Sequence, residues 1–197
     1  MKKLRPIDLT YGALFVCLMV IGANIAVWFP FLTIPIGGAT VPVSLQTFFA
    51  VLAGMLLGKR LGAIAMIVYM LIGAAGVPVF AGMKGGFFAL ISPTGGFIIS
   101  FIFVAYVVGW LTESRPALSI AYYTWTTMIG LFVNYLIGVS YMYLAMNTWL
   151  GLDVTYMIAW AGMVPFILKD AVLSVCAAFF MVKLVKRIPA TLKNTGV

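Results

Sequence analysis

Apolar residues fill this chain in long runs, and short polar or irregular stretches separate the runs. A membrane-spanning helix needs about 20 predominantly apolar residues, and the chain has room for six segments of this kind. The pattern predicts helices at approximately residues 9–28, 43–57, 61–76, 94–111, 122–145 and 157–185. We therefore expect an all-α integral membrane protein, a bundle of six transmembrane helices that forms a single membrane domain over residues 1–197.

Two of the interruptions carry structure-breaking residues. Residues 29–42 (FPFLTIPIGGATVP) hold three prolines and a Gly-Gly pair, which predict an extended or looped segment outside the hydrocarbon. Residues 77–97 (VPVFAGMKGGFFALISPTGGF) hold five glycines, two prolines and Lys84. Irregular backbone at membrane depth is tolerated only where it is buried in protein or lines a cavity. The second stretch is therefore expected to help shape a substrate pocket.

Composition supports the membrane assignment and argues against several classes of function. Hydrophobic residues make up 64% of the chain and charged residues 8%, with a mean hydropathy of +1.18, which is outside the range of water-soluble domains. The chain has no histidine, and its two cysteines lie in different apolar segments. No metal site, cofactor or catalytic constellation is therefore expected. The sequence also lacks a GxxxxGKS or GxxxxGKT motif, so any ATP hydrolysis must come from partners.

Basic residues set the expected orientation, because cytoplasmic loops of membrane proteins are enriched in lysine and arginine. With the N-terminus inside, 10 of the 12 basic residues fall on the cytoplasmic side of a six-helix layout, while Lys84 lies outside and Lys169 lies within a span. Both termini are therefore expected in the cytoplasm. Topology also accounts for the net charge of +8, so no nucleic-acid partner is needed.

Lys169 and Asp170 lie near the middle of the sixth predicted helix, about 20 Å from either end at 1.5 Å per residue. Charged residues at that depth are costly and usually face a cavity or a partner. Adjacent residues point about 100° apart on a helix, so we do not expect the two side chains to satisfy each other fully. They either pair with other helices or snorkel, or Asp170 accepts hydrogen bonds from a bound ligand.

Other polar residues in apolar segments could converge on the same cavity. They are Gln46, Thr47, Thr94, Asn134 and Tyr135. Taken singly, each is more often a hydrogen bond between helices than a ligand contact. Small residues also recur near the start of the first helix, at Gly12, Ala13 and Cys17. Such residues let another helix approach closely, either inside the bundle or from a partner.

Three segments carry a resemblance to a known family. They are VPVSLQTFFAVLAGMLLGKRLGA, GVPVFAGMKGGFFALISPTGGFIISF and VPFILKDAV, and they resemble the BioY family, the biotin-binding S components of energy-coupling-factor (ECF) transporters. The resemblance implies a six-helix protein of the cell membrane that captures biotin at a site opening to the outside. It also implies partners, namely a transmembrane coupling protein and two cytoplasmic ATPases of an ECF module.

The resemblance assigns roles to particular residues. The family's acidic residue in the sixth helix corresponds to Asp170, and Gly12, Ala13 and Cys17 occupy the region that docks on the coupling protein. Two departures stand out. An alanine pair at four-residue spacing is typical of the docking region, whereas here Cys17 follows Ala13. The family's lysine three positions after the aspartate is Leu173 here, and Lys169 precedes the aspartate instead.

Biotin's chemistry suits the candidate residues. Its ureido ring presents two N–H donors and a carbonyl, so Asp170 and Asn134 are expected to pair with it. Tyr135 and neighbouring aromatic residues would cover its apolar body. Lys84, together with the amides of Gly85 and Gly86, would meet its carboxylate near the outer mouth.

Three other classes of protein are weighed against this interpretation. A small-vitamin transporter that acts without an ATPase module stays open, although the chain shows no convincing internal repeat of the kind typical of secondary transporters. A membrane enzyme would need a nucleophile–base or metal constellation that the chain does not offer, so we expect no enzymatic activity. A purely structural protein would not need a buried Lys-Asp pair beside a glycine-rich interruption.

Overall fold

The computed structural model describes residues 5–36, 39–114 and 119–187. In chain order the elements are α1 (Pro6–Trp28), β1 (Thr33–Ile36), β2 (Ala39–Pro42), α2 (Gln46–Ala74), α3 (Phe88–Ile91), α4 (Gly95–Ser114), α5 (Ile120–Thr148) and α6 (Tyr156–Arg187). Apart from the four-residue α3, each of these helices is long and apolar enough to cross a membrane. The expected helical membrane protein is confirmed at this level.

The second and third predicted helices are the two halves of α2, which reverses direction at Gly58. Gly58 has φ 79° and ψ 172°, a backbone conformation that is essentially restricted to glycine. The side-chain amide of Gln46 donates a hydrogen bond of 2.8 Å to the hydroxyl of Tyr69, 23 residues later. In a straight helix these residues would be about 35 Å apart. The two halves therefore lie side by side and antiparallel.

Glu113, at the end of α4, holds this reversal in place. Its carboxylate accepts a hydrogen bond of 2.9 Å from the backbone N–H of Lys59 and forms an ion pair of 3.0 Å with the Lys59 ammonium. Small residues let the two helices meet closely, because a Cβ built on Gly109 would lie 2.3 Å from the Lys59 nitrogen. The short charged turn predicted at this point is thus fixed against the neighbouring helix.

Residues 29–42, predicted as an extended or looped segment, contain a short β-ribbon. β1 and β2 pair antiparallel, with Thr33 opposite Pro42 and Ile36 opposite Ala39. Prolines are tolerated in this ribbon because both of its strands are edges. The four-residue helix α3 was also not predicted. The ribbon adds two short strands to the helical membrane bundle.

The helix ends differ from the predicted ones by a few residues. α1 begins three residues earlier than expected, because Pro6 suits the first turn and the Asp8 carboxylate accepts the Arg5 backbone N–H at 2.9 Å. α5 and α6 each extend slightly beyond the predicted bounds at both ends. Some of the basic residues used to predict the orientation lie outside the described residues, namely Lys2, Lys3, Arg115 and Lys193.

Among the described residues, the buried apolar side chains form two clusters. The larger is built mainly from α1, α2 and α4, with a contribution from α6, and its members Met19, Val51, Met66 and Val104 are fully or almost fully buried. The smaller joins α5 to α6 through residues that include Tyr135, Met142 and Phe166. Side chains from both clusters line one cavity, which is the candidate site.

Candidate functional site

The cavity has a volume of about 220 Å³. Its walls come from the start of α2, the segment between α2 and α4, and helices α4, α5 and α6. The lining residues are Ser44, Gln46, Thr47, Phe80, Ala81, Lys84, Ala89, Ser92, Thr94, Phe97, Ile98, Phe101, Asn134, Tyr135, Met142, Met163, Phe166, Lys169 and Asp170. Apolar walls with a few convergent polar groups are typical of small-molecule sites.

A hydrogen-bond network joins four helices at the floor of this cavity. One carboxylate oxygen of Asp170, Oδ2, accepts hydrogen bonds from the Tyr135 hydroxyl at 2.8 Å and the Thr47 hydroxyl at 3.1 Å. The Asn134 amide donates to the Thr47 oxygen at 3.4 Å, and its carbonyl accepts from the Ser100 hydroxyl at 2.6 Å. Asp170, Asn134, Thr47 and Ser100 are all buried, so this network replaces the hydration these groups would lose.

Lys169 and Asp170 contact each other, and each also has a partner on another element. The Lys169 ammonium lies 2.6 Å from Oδ1 of Asp170 and also donates to the backbone carbonyl of Ser44. The long lysine side chain bends across the 100° that separates the two positions on the helix. The Asp170 side chain is 4% exposed and that of Lys169 is 20% exposed, so the carboxylate is the more deeply buried partner of the ion pair.

The two oxygens of Asp170 have different surroundings. Oδ2 accepts two hydrogen bonds, whereas no described residue makes a hydrogen bond to Oδ1. The contact of Oδ1 with the Lys169 ammonium, at 2.6 Å, is an ion pair. Among the described residues, the Lys169 ammonium is therefore the partner of this buried oxygen. Buried charges in proteins are usually paired in this way.

Eight of the ten predicted substrate-binding residues line the cavity, and two do not. The eight are Gln46, Thr47, Lys84, Thr94, Asn134, Tyr135, Lys169 and Asp170. The Gly86 N–H donates to the Gly73 carbonyl at 2.7 Å, so it is already engaged. A Cβ on Gly85 would lie 2.5 Å from the Val77 carbonyl oxygen, so Gly85 packs against backbone. These two glycines fit the loop together and do not face the cavity.

Lys84 reaches the cavity from a tight turn formed by residues 80–84. The backbones of Phe80 and Lys84 exchange two hydrogen bonds, of 2.9 Å and 3.3 Å. The Tyr69 hydroxyl donates to the Val79 carbonyl at 3.0 Å, and Asn24 of α1 accepts from the Met83 N–H at 2.7 Å. We call these five residues the 80–84 turn.

Sequence reasoning missed several residues of the site. Phe80, Phe97, Phe101 and Phe166 form much of the apolar lining, and nothing in a uniformly apolar sequence distinguishes them from other aromatic residues. Asn24 and Ser100 were detectable, since each is a polar residue inside an apolar helix. Both are fully buried and both act through hydrogen bonds to neighbouring elements.

The predicted docking residues lie on α1, away from the cavity. Ala13 and Cys17 are exposed and lie one turn apart on the same side of the helix. Gly12 is buried, with Leu61 of α2 as its neighbour. Ala13 and Cys17 thus form a small exposed surface, whereas Gly12 packs against the neighbouring helix.

Comparisons with known proteins agree with this architecture. A sequence model of the BioY family matches residues 1–190. The chain is 42% identical over 178 residues to the candidate biotin transporter BioYB of Bacillus subtilis (strain 168), covering 90% of this chain and 87% of that protein. It is 36% identical over 179 residues to the biotin transporter BioY of Thermotoga maritima, covering 91% and 96% of the two chains.

A solved structure shares the fold. It is the crystal structure of the S-component for biotin from an ECF-type ABC transporter, which matches this chain with a TM-score of 0.69 over 94% of each chain. The two sequences are 23% identical. At that level the match describes the fold.

Proposed function

This chain belongs to the BioY family, and we propose that it captures biotin as the substrate-binding S component of an ECF-type importer. The single observation that carries the proposal is the buried Asp170 carboxylate in the cavity lining, whose Oδ1 has the Lys169 ammonium as its partner among the described residues. A ligand with N–H donors would find a charged acceptor in this carboxylate. The matched relatives are named as transporters, in agreement with the expectation that the chain is not an enzyme.

The ureido ring of biotin suits the floor of the cavity. One of its N–H groups would donate to Oδ1 of Asp170 as the Lys169 ammonium moves away from that oxygen. The ammonium would keep its hydrogen bond to the Ser44 carbonyl. Asn134 lies within the same network and would meet the other polar edge of the ring. The aromatic side chains Phe97 and Tyr135, whose ring centroids are 5.7 Å apart, would cover the apolar body.

Lys84 would receive the carboxylate at the opposite end of the ligand. It is exposed and still lines the cavity, which suits a cation at a mouth. Thr94 has the same two properties and would add a hydroxyl donor. In this arrangement the acid at the floor and the base at the mouth match the polarity of a ligand that has N–H groups at one end and a carboxylate at the other.

We also propose six membrane crossings, with both termini in the cytoplasm and the cavity open to the outside. The reversal at Gly58 supports this topology, because it divides α2 into two antiparallel halves. Gln46 at the start of α2 lines the cavity, and Lys59 and Arg60 lie at the far end of that first half, about 18 Å away. Basic residues at the end remote from the cavity agree with a cytoplasmic location.

The partners would be a transmembrane coupling protein and two cytoplasmic ATPases. Ala13 and Cys17 support a docking role for α1, since they present a small, exposed surface to a helix of another protein. Because the chain has no phosphate-binding GxxxxGKS or GxxxxGKT motif, energy for release would come from those ATPases.

Titration of biotin into the purified, detergent-solubilised protein tests the proposal. We expect saturable one-to-one binding by isothermal calorimetry, with no saturable heat from riboflavin or thiamine. A flat biotin titration by a protein that is folded, as judged by its thermal unfolding, would overturn the proposed function.

A further inference from the structure

We propose that Asn24 is a positioning residue for ligand recognition: it holds the 80–84 turn from behind and so places Lys84 at the mouth of the cavity. The inference rests on the proposed function, since it uses the carboxylate of biotin as the group that Lys84 meets. Asn24 itself does not line the cavity. It lies in α1, and no side chain of α1, which is described along its whole length, lines the cavity.

The hydrogen bonds of Asn24 connect α1 to the 80–84 turn. Its side chain is fully buried, in an apolar helix where an amide is costly unless it is paired. The carbonyl oxygen accepts the Met83 N–H at 2.7 Å, and the amide nitrogen contacts the Val20 carbonyl at 3.0 Å and the Val79 carbonyl at 3.5 Å. One of these partners is its own helix turn, and the other two flank or belong to the 80–84 turn.

The 80–84 turn has an unfavourable backbone conformation that these hydrogen bonds stabilise. Met83 has φ 56° and Gly82 has φ 73°, so two successive residues adopt left-handed backbone, and for methionine this is unfavourable. The bond from Met83 to Asn24 offsets that cost and fixes the residue that immediately precedes Lys84. Without it, the turn is free to relax to a conformation in which the lysine points elsewhere.

The chain offers a matched control in Asn147 of α5. Its amide donates to the carbonyl one turn earlier, Tyr143, at 2.9 Å and to the carbonyl of Val154 at 3.0 Å. Its carbonyl oxygen accepts the Val154 N–H at 2.9 Å. Asn147 thus holds a loop with the same pattern of hydrogen bonds as Asn24, but it lies outside the cavity lining.

The experiment measures how strongly each variant prefers biotin over biotin carboxamide, which lacks the negative charge. The preference is the dissociation constant of biotin carboxamide divided by that of biotin, both measured in detergent. Lys84→Gln is expected to lower this ratio about tenfold, the size of one charge-assisted hydrogen bond at a partly exposed site. Asn24→Leu should lower it by a similar factor. The double variant should lose no more than Lys84→Gln alone, because both changes remove the same contact.

Two further variants separate positioning from stability. Asn147→Leu should lower the midpoint of thermal unfolding and leave the preference ratio at the wild-type value. Asn24→Asp keeps an oxygen facing the Met83 N–H and should retain most of the preference. If Asn24→Leu does not fold, Asn24→Ala removes the same bonds without added bulk and is judged by the same ratio.

The outcomes distinguish this inference from the proposed function. If the wild type does not bind biotin, the proposed function fails. If the wild type binds and Lys84→Gln lowers the ratio while Asn24→Leu or Asn24→Ala keeps it, the positioning role of Asn24 is overturned. It is also overturned if Lys84→Gln leaves the ratio unchanged, or if Asn24→Leu and Lys84→Gln reduce the ratio independently and additively.

Discussion

The Lys169–Asp170 pair allows binding and stability to be measured separately. The perturbations are Lys169→Met, Asp170→Asn and the double variant. Removing one partner of a buried ion pair leaves the other charge uncompensated and costs about 3 kcal/mol, the lower end of the usual range. We use the lower end because the Lys169 side chain is 20% exposed. Replacing both partners removes the charges together, so the double variant should recover most of that loss.

Binding should not recover with stability. Asp170→Asn replaces a charged acceptor by a neutral amide, and a hydrogen bond to a charged group contributes about 1.5–3 kcal/mol, or roughly 10- to 150-fold in affinity. The double variant lacks the same acceptor and should bind biotin as weakly as Asp170→Asn does. The assay pairs thermal unfolding in detergent with calorimetric titration of biotin for all four proteins. If the double variant is stable and binds with wild-type affinity, Asp170 has only a structural role and the assigned ligand contact is wrong.

Two further changes test the fold and the assembly. Gly58→Ala should lower the free energy of unfolding by about 1–3 kcal/mol, because the added Cβ would lie 2.3 Å from Glu113 Oε1 and the backbone conformation disfavours alanine. The control is Gly162→Ala in α6, which has open space around it. This control should be neutral or slightly stabilising in thermal unfolding. Ala13→Leu combined with Cys17→Leu should leave biotin affinity unchanged and reduce co-purification with a coupling protein and its ATPases, and undiminished assembly would remove these residues from the docking surface.

The sequence predicted the helices well because their apolar runs are long and their interruptions are chemically distinct. The charged turn at Gly58-Lys59-Arg60 marks the reversal of α2 correctly, since only glycine tolerates that backbone. Pairing of β1 with β2 was not predictable from a Pro-rich segment that reads equally well as an open loop. The short α3 was hidden for a similar reason, because it is a single turn within a glycine-rich stretch.

The sequence predicted those residues of the candidate site whose burial requires a polar partner. A carboxylate or an amide inside an apolar helix must find polar partners. The convergence of Asp170, Asn134 and Thr47 was therefore predictable. Backbone conformation sets the limit of this reasoning. Gly85 and Gly86 were expected to offer their amides to a ligand, but whether an N–H points into a cavity depends on dihedral angles that composition does not encode.

Lys169 shows how a buried carboxylate is compensated from within its own helix. Oδ2 of Asp170 holds helices together through Thr47 and Tyr135, and these bonds do not require a ligand. Oδ1 would be an uncompensated charge if the adjacent lysine did not lie 2.6 Å away. Lysine suits this task because its charge is carried on a flexible four-carbon stem, which lets the ammonium bend back to the carboxylate of the next residue. A lysine directly before the aspartate therefore compensates the buried charge, and this is why Lys169→Met is expected to weaken the fold.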